Sequence, residues 1–232
     1  MEQIDLSGKL YLYHGSRYGI EGDIEPVSRE KCDFGRGFYM GENPSQVKGL
    51  VFNESEAKFY ELEVDLSDIP KEKKLVLSGE KWMYTVLSCR DKIKEFSELR
   101  VAQEIREKIS NYDVIAGPIA DDRMNEAIRR FEQNGLTDVA LKHCLEYVQY
   151  GNQIVAKTAE ACSHIKILCE RELTRQERND SSLYAEKMRN QGYDIVDQMA
   201  LRYNREGRFC GEIIQAERDR EQDKRRGFGY GD

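Results

Sequence analysis

The sequence predicts an α+β fold. Short stretches of two-residue alternation mark strands, longer amphipathic stretches mark helices, and the two mix without the repeating strand–helix–strand unit of a doubly wound sheet. With 232 residues, 39% hydrophobic and 34% charged, the chain has apolar material for a sizeable core beneath a heavily ionised surface. The longest strongly apolar runs, such as Ile165 to Cys169, fall far short of the roughly 20 residues a bilayer requires, so no membrane span is expected.

Leu10 to His14 reads as a strand ended by Gly15 and Ser16, where a permissive residue allows a sharp turn. A loop rich in charge follows, and then Asp33 to Gly41, in which Gly35, Gly37 and Gly41 surround Phe38 and Tyr39. Glycines placed so suggest a strand closely approached by a ligand or another backbone. Pro44 to Phe52 reads as a helix with Asn43 as N-cap and Pro44 at its first position. Lys58 to Leu66 alternates as a half-buried strand.

Trp82 to Ser110 reads as largely helical, with Val86, Ile93, Phe96, Leu99, Val101 and Ile105 among many charges. Tyr112 to Ile119 is expected to be a strand leading into Asp121, Asp122 and Arg123. Helices follow at Met124 to Gln133 and Asp138 to Tyr150, the second capped by Thr137 or Asp138. Gln153 to Lys157 is extended, as is Cys162 to Leu168 through the alternation Ile165, Lys166, Ile167. From Glu170 the pattern becomes helical, with Leu183, Met188, Ile195, Val196, Met199, Leu201 and Tyr203 at helical spacing. Gln215 to Arg226 is almost wholly charged, and residues 227–232 have the composition of a tail.

The formal net charge is −7, without the clustered Lys and Arg that nonspecific nucleic-acid binding needs. The amino terminus lacks a basic region followed by an apolar stretch, so no secretory signal and a cytosolic location are expected. Cys32, Cys89, Cys144, Cys162, Cys169 and Cys210 lie far apart with no Cys-x-x-Cys pair, so reduced thiols and no structural metal are expected. The phosphate-loop template is missing, and Gly35-x-Gly37 lacks the third glycine of a dinucleotide fingerprint. His143 and His164 are expected to be structural, whereas His14 closes a strand beside a Gly-Ser turn and is the functional candidate.

Leu12 to Arg17, then Phe34 to Tyr39, then Asn152 to Val155 together resemble the three-strand signature of NAD-dependent ADP-ribosyltransferases of the His-Tyr-Glu group, which includes the poly(ADP-ribose) polymerases and diphtheria toxin. The closer likeness, through Tyr112 to Asp122, is to a bacterial family catalogued only as domain of unknown function 3990. This resemblance spans about residues 8 to 170. It implies a split antiparallel β-sandwich with flanking helices over residues 1–170, leaving 171–232 as a helical, highly charged C-terminal extension with a flexible tail.

The resemblance also implies NAD as co-substrate, folded in a cleft between two small sheets. It gives His14 a hydrogen bond to the adenosine-side ribose and Gly15, with Ser16 beside it, the nicotinamide carboxamide. Tyr39 lies against the nicotinamide ring, and Arg36 positions its strand or meets a phosphate. At the third position Gln153 replaces the glutamate of the group name. An amide can still accept from the ribose 2′-hydroxyl but carries no charge, a loss of about 2.7 to 4 kcal/mol on the scale of one electrostatic group. Transfer of a single ADP-ribose, and a gain in nicotinamide release from Gln153→Glu, are the matching expectations. The aromatic expected on the helix after Tyr39 is missing, since Val47 and Leu50 occupy that region.

The implied function is mono-ADP-ribosylation of a macromolecule, protein or nucleic acid, by a bacterial toxin or defence effector. The alternatives are an NAD or ADP-ribose binding module without transfer, and an NAD glycohydrolase. Asp121 and Asp122 read either as a solvated cap or as carboxylates facing the acceptor. The apolar stripe from Ile195 to Tyr203 is expected to dock on the catalytic domain or on a neutralising protein partner.

Overall fold

A computed structural model describes residues 4–119, 122–147 and 151–227. Along the chain come β1 (Lys9–Ser16), β2 (Phe38–Gly41), α1 (Pro44–Gly49), β3 (Lys58–Asp65) and β4 (Lys74–Val76). Next are α2 (Gly79–Arg90), α3 (Lys94–Ser97), α4 (Arg100–Ile109), β5 (Val114–Pro118), α5 (Asp122–Glu132) and α6 (Asp138–Tyr147). The chain continues through β6 (Asn152–Ala156), α7 (Ala159–Ser163), β7 (Ile165–Glu172), α8 (Arg175–Arg202) and α9 (Cys210–Gly227). Among the described residues no helix is long and apolar enough to cross a membrane.

Local chemistry explains several boundaries. Asn43 caps α1 as expected, its side chain accepting from the Ser45 and Gln46 amides. At α6 the cap is Thr137, whose Oγ1 accepts from the Ala140 amide at 3.1 Å. The helix expected over Trp82 to Ser110 is three helices, because Asp91 adopts a left-handed conformation (φ 51°) and Ile93 is extended. Cys162 and Ser163, expected to begin the extended stretch to Leu168, instead end the helical turn Ala159–Ser163 capped by Thr158, and β7 begins at Ile165. β7 then runs past Glu170, with half-buried Cys169 and Arg171 alternating with exposed Glu170 and Glu172. That two-residue period is polar, so hydropathy hides it.

The strands pair in the order β4-β5-β6-β2-β1-β3-β7. The expected split antiparallel sandwich is therefore corrected to one seven-stranded mixed sheet with flanking helices, because β1 and β2 still pair and β4 joins β5 in parallel. The central link is narrow. β1 pairs with β3 along its whole length but with β2 only at Tyr13↔Gly41.

Side-chain alternation sorts the core onto two faces. Leu12, Phe38, Met40, Tyr60, Leu62, Ile154 and Ala156 form one cluster fed by both halves of the sheet. On the opposite face Ile115 and Val155 pack against α2 to α6, together with Ile195, Val196 and Met199 of α8 and Ile213 and Ile214 of α9. Of the stripe expected to dock, Ile195, Val196, Met199 and Tyr203 pack within the chain, while Leu201 is exposed. A separate cluster of Val47, Val51, Phe59 and Leu173 lies under β1 and β3.

Thr174 and Glu177 form a capping box that starts α8, and Glu177 also holds Arg171 and Lys48 at 2.8 and 2.7 Å. These partners, the Arg171 bond foremost, hold the Glu177 carboxyl well below the usual range. The stabilisation is present above the unfolded value of about 4.3 and is lost as pH falls toward the lower folded value. Glu177→Gln is expected to cost about 1 to 2 kcal/mol at pH 7. Thermal melts should show the gap from wild type narrowing progressively below about pH 4.3, and a pH-independent gap would contradict this account.

Candidate functional site

In an antiparallel ladder each residue points both main-chain groups at one neighbour, alternately. The Leu66 amide donates to the Gly8 carbonyl and the Glu42 amide to the Asn152 carbonyl, both at 3.2 Å. The even-numbered residues of β1 and β2 thus bond outward, to β3 and β6. Tyr13 and Gly15 of β1, and Tyr39 and Gly41 of β2, point their main-chain groups into the seam between the two strands. Tyr13↔Gly41 closes the seam at one end. Beyond it Gly15 and Tyr39 face each other with no ladder between them.

His14 holds this opening. Its Nδ1 lies 2.7 Å from the Tyr39 carbonyl oxygen, and its ring stacks on Phe38 with centroids 4.3 Å apart. A carbonyl only accepts, so Nδ1 carries the proton and Nε2 keeps its lone pair. Burial, opposed by the Tyr39 bond, lowers the pKa from 6.5, so the ring is neutral at neutral pH. By alternation its side chain sits on the face of Leu12 and Phe38. Gly15 has its missing side chain on the other face, where a Cβ would come within 3.0 Å of Val51 Cγ2 and 3.3 Å of the Val47 carbonyl.

Tyr39 and Gln153 share that other face. The Tyr39 hydroxyl donates to the Gly35 carbonyl at 2.6 Å and accepts from the Phe34 amide at 3.0 Å. Burial, reinforced by the Asp33 charge, pushes its pKa far above 10. Gln153 is buried and pairs with Gly41 across the β2–β6 ladder. Its Nε2 donates to Asp33 Oδ2 at 2.6 Å and to the Pro118 carbonyl at 3.1 Å. Arg90 Nε in turn donates to Asp33 Oδ1 at 2.6 Å. Both partners of Nε2 are acceptors, so Gln153→Glu would set a second carboxylate against that of Asp33.

Ser16 is engaged in the turn, donating to the Gly19 carbonyl at 2.7 Å. Arg36 is exposed and donates to the Pro26 carbonyl at 3.0 Å, so it braces its own loop. Val47 packs under Gly15 and Gly41, while Leu50 is exposed. Tyr13, on the same face, stacks on Phe59 at 5.6 Å. His143 stacks on Tyr203 at 4.2 Å, and His164 ends α7. Asp121 and the side chains of Asp122 and Arg123 lie outside the described residues, as do residues 228–232.

Two partners of the site carry no local signal in the sequence, buried Asp33 and half-buried Arg90; Gln46 is also buried, its Oε1 3.5 Å from where a Gly41 Cβ would stand. Asp33 stood at the head of the glycine-rich segment, yet nothing in composition links it to Arg90 or Gln153 across 57 and 120 positions.

A family model described as protein of unknown function (DUF3990) matches residues 10–167. No curated protein and no solved structure matches the chain.

Proposed function

This chain belongs to the DUF3990 family, and we propose that it is an NAD-dependent mono-ADP-ribosyltransferase whose site is the seam between β1 and β2. One observation carries the reading. Gly15 turns its amide and carbonyl into a seam with no ladder opposite, beside a neutral imidazole and an anchored phenol. A carboxamide offers one acceptor and two donors, the complement of one main-chain N–H and C=O. The narrow β1–β2 link also gives the sheet two halves that meet at one residue pair beside this seam.

In this reading NAD is a co-substrate bound with its nicotinamide at Gly15 and Tyr39 and a ribose near His14 Nε2. The glycosidic C–N bond breaks with its electron pair passing to the pyridinium nitrogen, which leaves as neutral nicotinamide. The acceptor's lone pair forms the new bond to the anomeric carbon and its proton passes to solvent or a base. Gln153 accepts from the 2′-hydroxyl and orients the sugar. The acceptor is a macromolecule, protein being favoured by the acidic balance of the chain. A toxin or defence effector acting in the cytoplasm, held in check by a neutralising protein, fits such an activity.

The uncharged Gln153 favours a second reading, a module that binds NAD or ADP-ribose without turnover. Incubation with labelled NAD and cell extract separates the two, and free ADP-ribose with nicotinamide would mark a glycohydrolase. Gly15→Ala tests the carrying observation directly. Its Cβ presses on Val51 and the Val47 carbonyl, so α1 must move at a cost of about 1 to 3 kcal/mol. Nicotinamide release should fall about 100-fold through misplacement of the clamp. Wild-type release from a folded Gly15→Ala protein would remove the seam from consideration.

A further inference from the structure

The site reading leaves a chemical gap, because the positive charge developing on the ribose has no carboxylate on the third strand. Gln153 is the residue there, and its surroundings are specific. It is buried, and its Nε2 donates to both Asp33 Oδ2 and the Pro118 carbonyl. An amide nitrogen has two N–H donors, so both are used and the planar group cannot flip without setting its oxygen against two acceptors. Asp33 is buried as well and is itself clamped by Arg90 at 2.6 Å, a contact in which both side chains are largely shielded from water. The carboxylate therefore has a fixed place at the back of the amide.

We infer that Asp33 is the positioning residue of this site, locking the Gln153 amide by its nitrogen so that a polarised Oε1 is presented to the substrate sugar. The inference rests on the reading of the seam as an NAD site and adds a regulator of its chemistry. A carboxylate accepting from one end of an amide draws positive charge there and makes the opposite oxygen a stronger acceptor. The effect is larger in a buried setting than in water. Asp33 thus supplies, at one remove, part of the negative potential that a glutamate at 153 would place directly. Arg90 keeps the buried carboxylate paired, which an isolated buried charge would need in any case. The bond changes are those of nicotinamide release, and no further reactant is required.

The test is a charge swap on the full chain, read by nicotinamide release from NAD, by KM and by thermal melting. Asp33→Asn keeps the size of the side chain and removes its charge. It should lower kcat about 10- to 100-fold while KM stays within about threefold, since the interaction acts on the developing charge more than on bound NAD. Gln153→Glu alone sets two carboxylates at the 2.6 Å spacing now held by Gln153 and Asp33. It should melt lower than wild type and lose release, with partial recovery as pH falls and one proton is shared. The double variant Asp33→Asn with Gln153→Glu restores one amide facing one carboxylate with the positions exchanged. It should melt above the Gln153→Glu protein and return kcat to within about tenfold of wild type.

A folded Asp33→Asn protein with wild-type kcat, or a folded double variant no better than Gln153→Glu, overturns the role of Asp33 and leaves the NAD reading standing. If Asp33→Asn does not fold, the double variant decides alone by the same criterion. A wild-type protein that neither releases nicotinamide nor binds NAD by calorimetry overturns the site reading itself, and the positioning role with it.

Discussion

Tyr39→Ala is expected to abolish nicotinamide release and to lower the melting temperature by about 10 °C. The ring is half-buried against the helical core, and its hydroxyl is bonded to both Gly35 and Phe34. Removing a large ring from such a place costs about 3 to 5 kcal/mol, and each kcal/mol is worth about 2 to 4 °C in a chain of this size. Loss of stability alone would not assign a function, so Tyr39→Phe is the informative companion. It keeps the aromatic face and removes only the oxygen, leaving the Gly35 carbonyl and Phe34 amide without their partner. That change is expected to cost about 1 to 3 kcal/mol. Because the segment from Asp33 to Gly35 would loosen, Asp33 would hold Gln153 less firmly. Calorimetry of both proteins with and without NAD checks the pair: Tyr39→Phe should retain NAD binding that Tyr39→Ala lacks. Equal binding by the two would show that the ring is no platform.

Gly37→Ala is expected to be the most damaging single methyl group on this sheet. A Cβ there would overlap Val155 Cγ1 and stand 2.9 Å from the Ala156 carbonyl oxygen. Val155 is fully buried in the helical-face core and Ala156 belongs to the β2–β6 ladder, so neither can yield freely. Gly37 also exchanges hydrogen bonds with Ser28 on both of its main-chain groups, at 3.0 and 3.1 Å. Overpacking of this kind costs about 1 to 3 kcal/mol, or about 2 to 12 °C by the same conversion. Gly49→Ala is the control, since a Cβ there meets nothing within 4 Å. It should melt within about 3 °C of wild type. Similar melting of the two variants would contradict the close approach at Gly37.

One side chain settles a boundary where it caps a helix. Asn43 and Pro44 mark the start of α1 in the sequence as they do in space. Harder cases share a cause. The break at Asp91 needs a left-handed residue that is not glycine. The extension of β7 to Glu172 depends on pairing with β3, which polar residues on an outer strand do not announce. β4 is three residues long and holds its place through a parallel partner.

The candidate site divides in the same way. His14 was a candidate from its place at a strand end beside a Gly-Ser turn, whereas the roles proposed for Gly15, Tyr39 and Gln153 come from the resemblance of three separated segments. The sequence by itself determined the mixed strand and helix content and the caps of α1 and α6, since these depend on neighbours within a few residues. The tertiary structure alone decided that β1 and β2 part after one pair, that His14 reaches across the parting, and that Asp33 and Arg90 stand behind Gln153. Those contacts join residues 25 to 120 positions apart, and strand register, which no local preference fixes, brings them together.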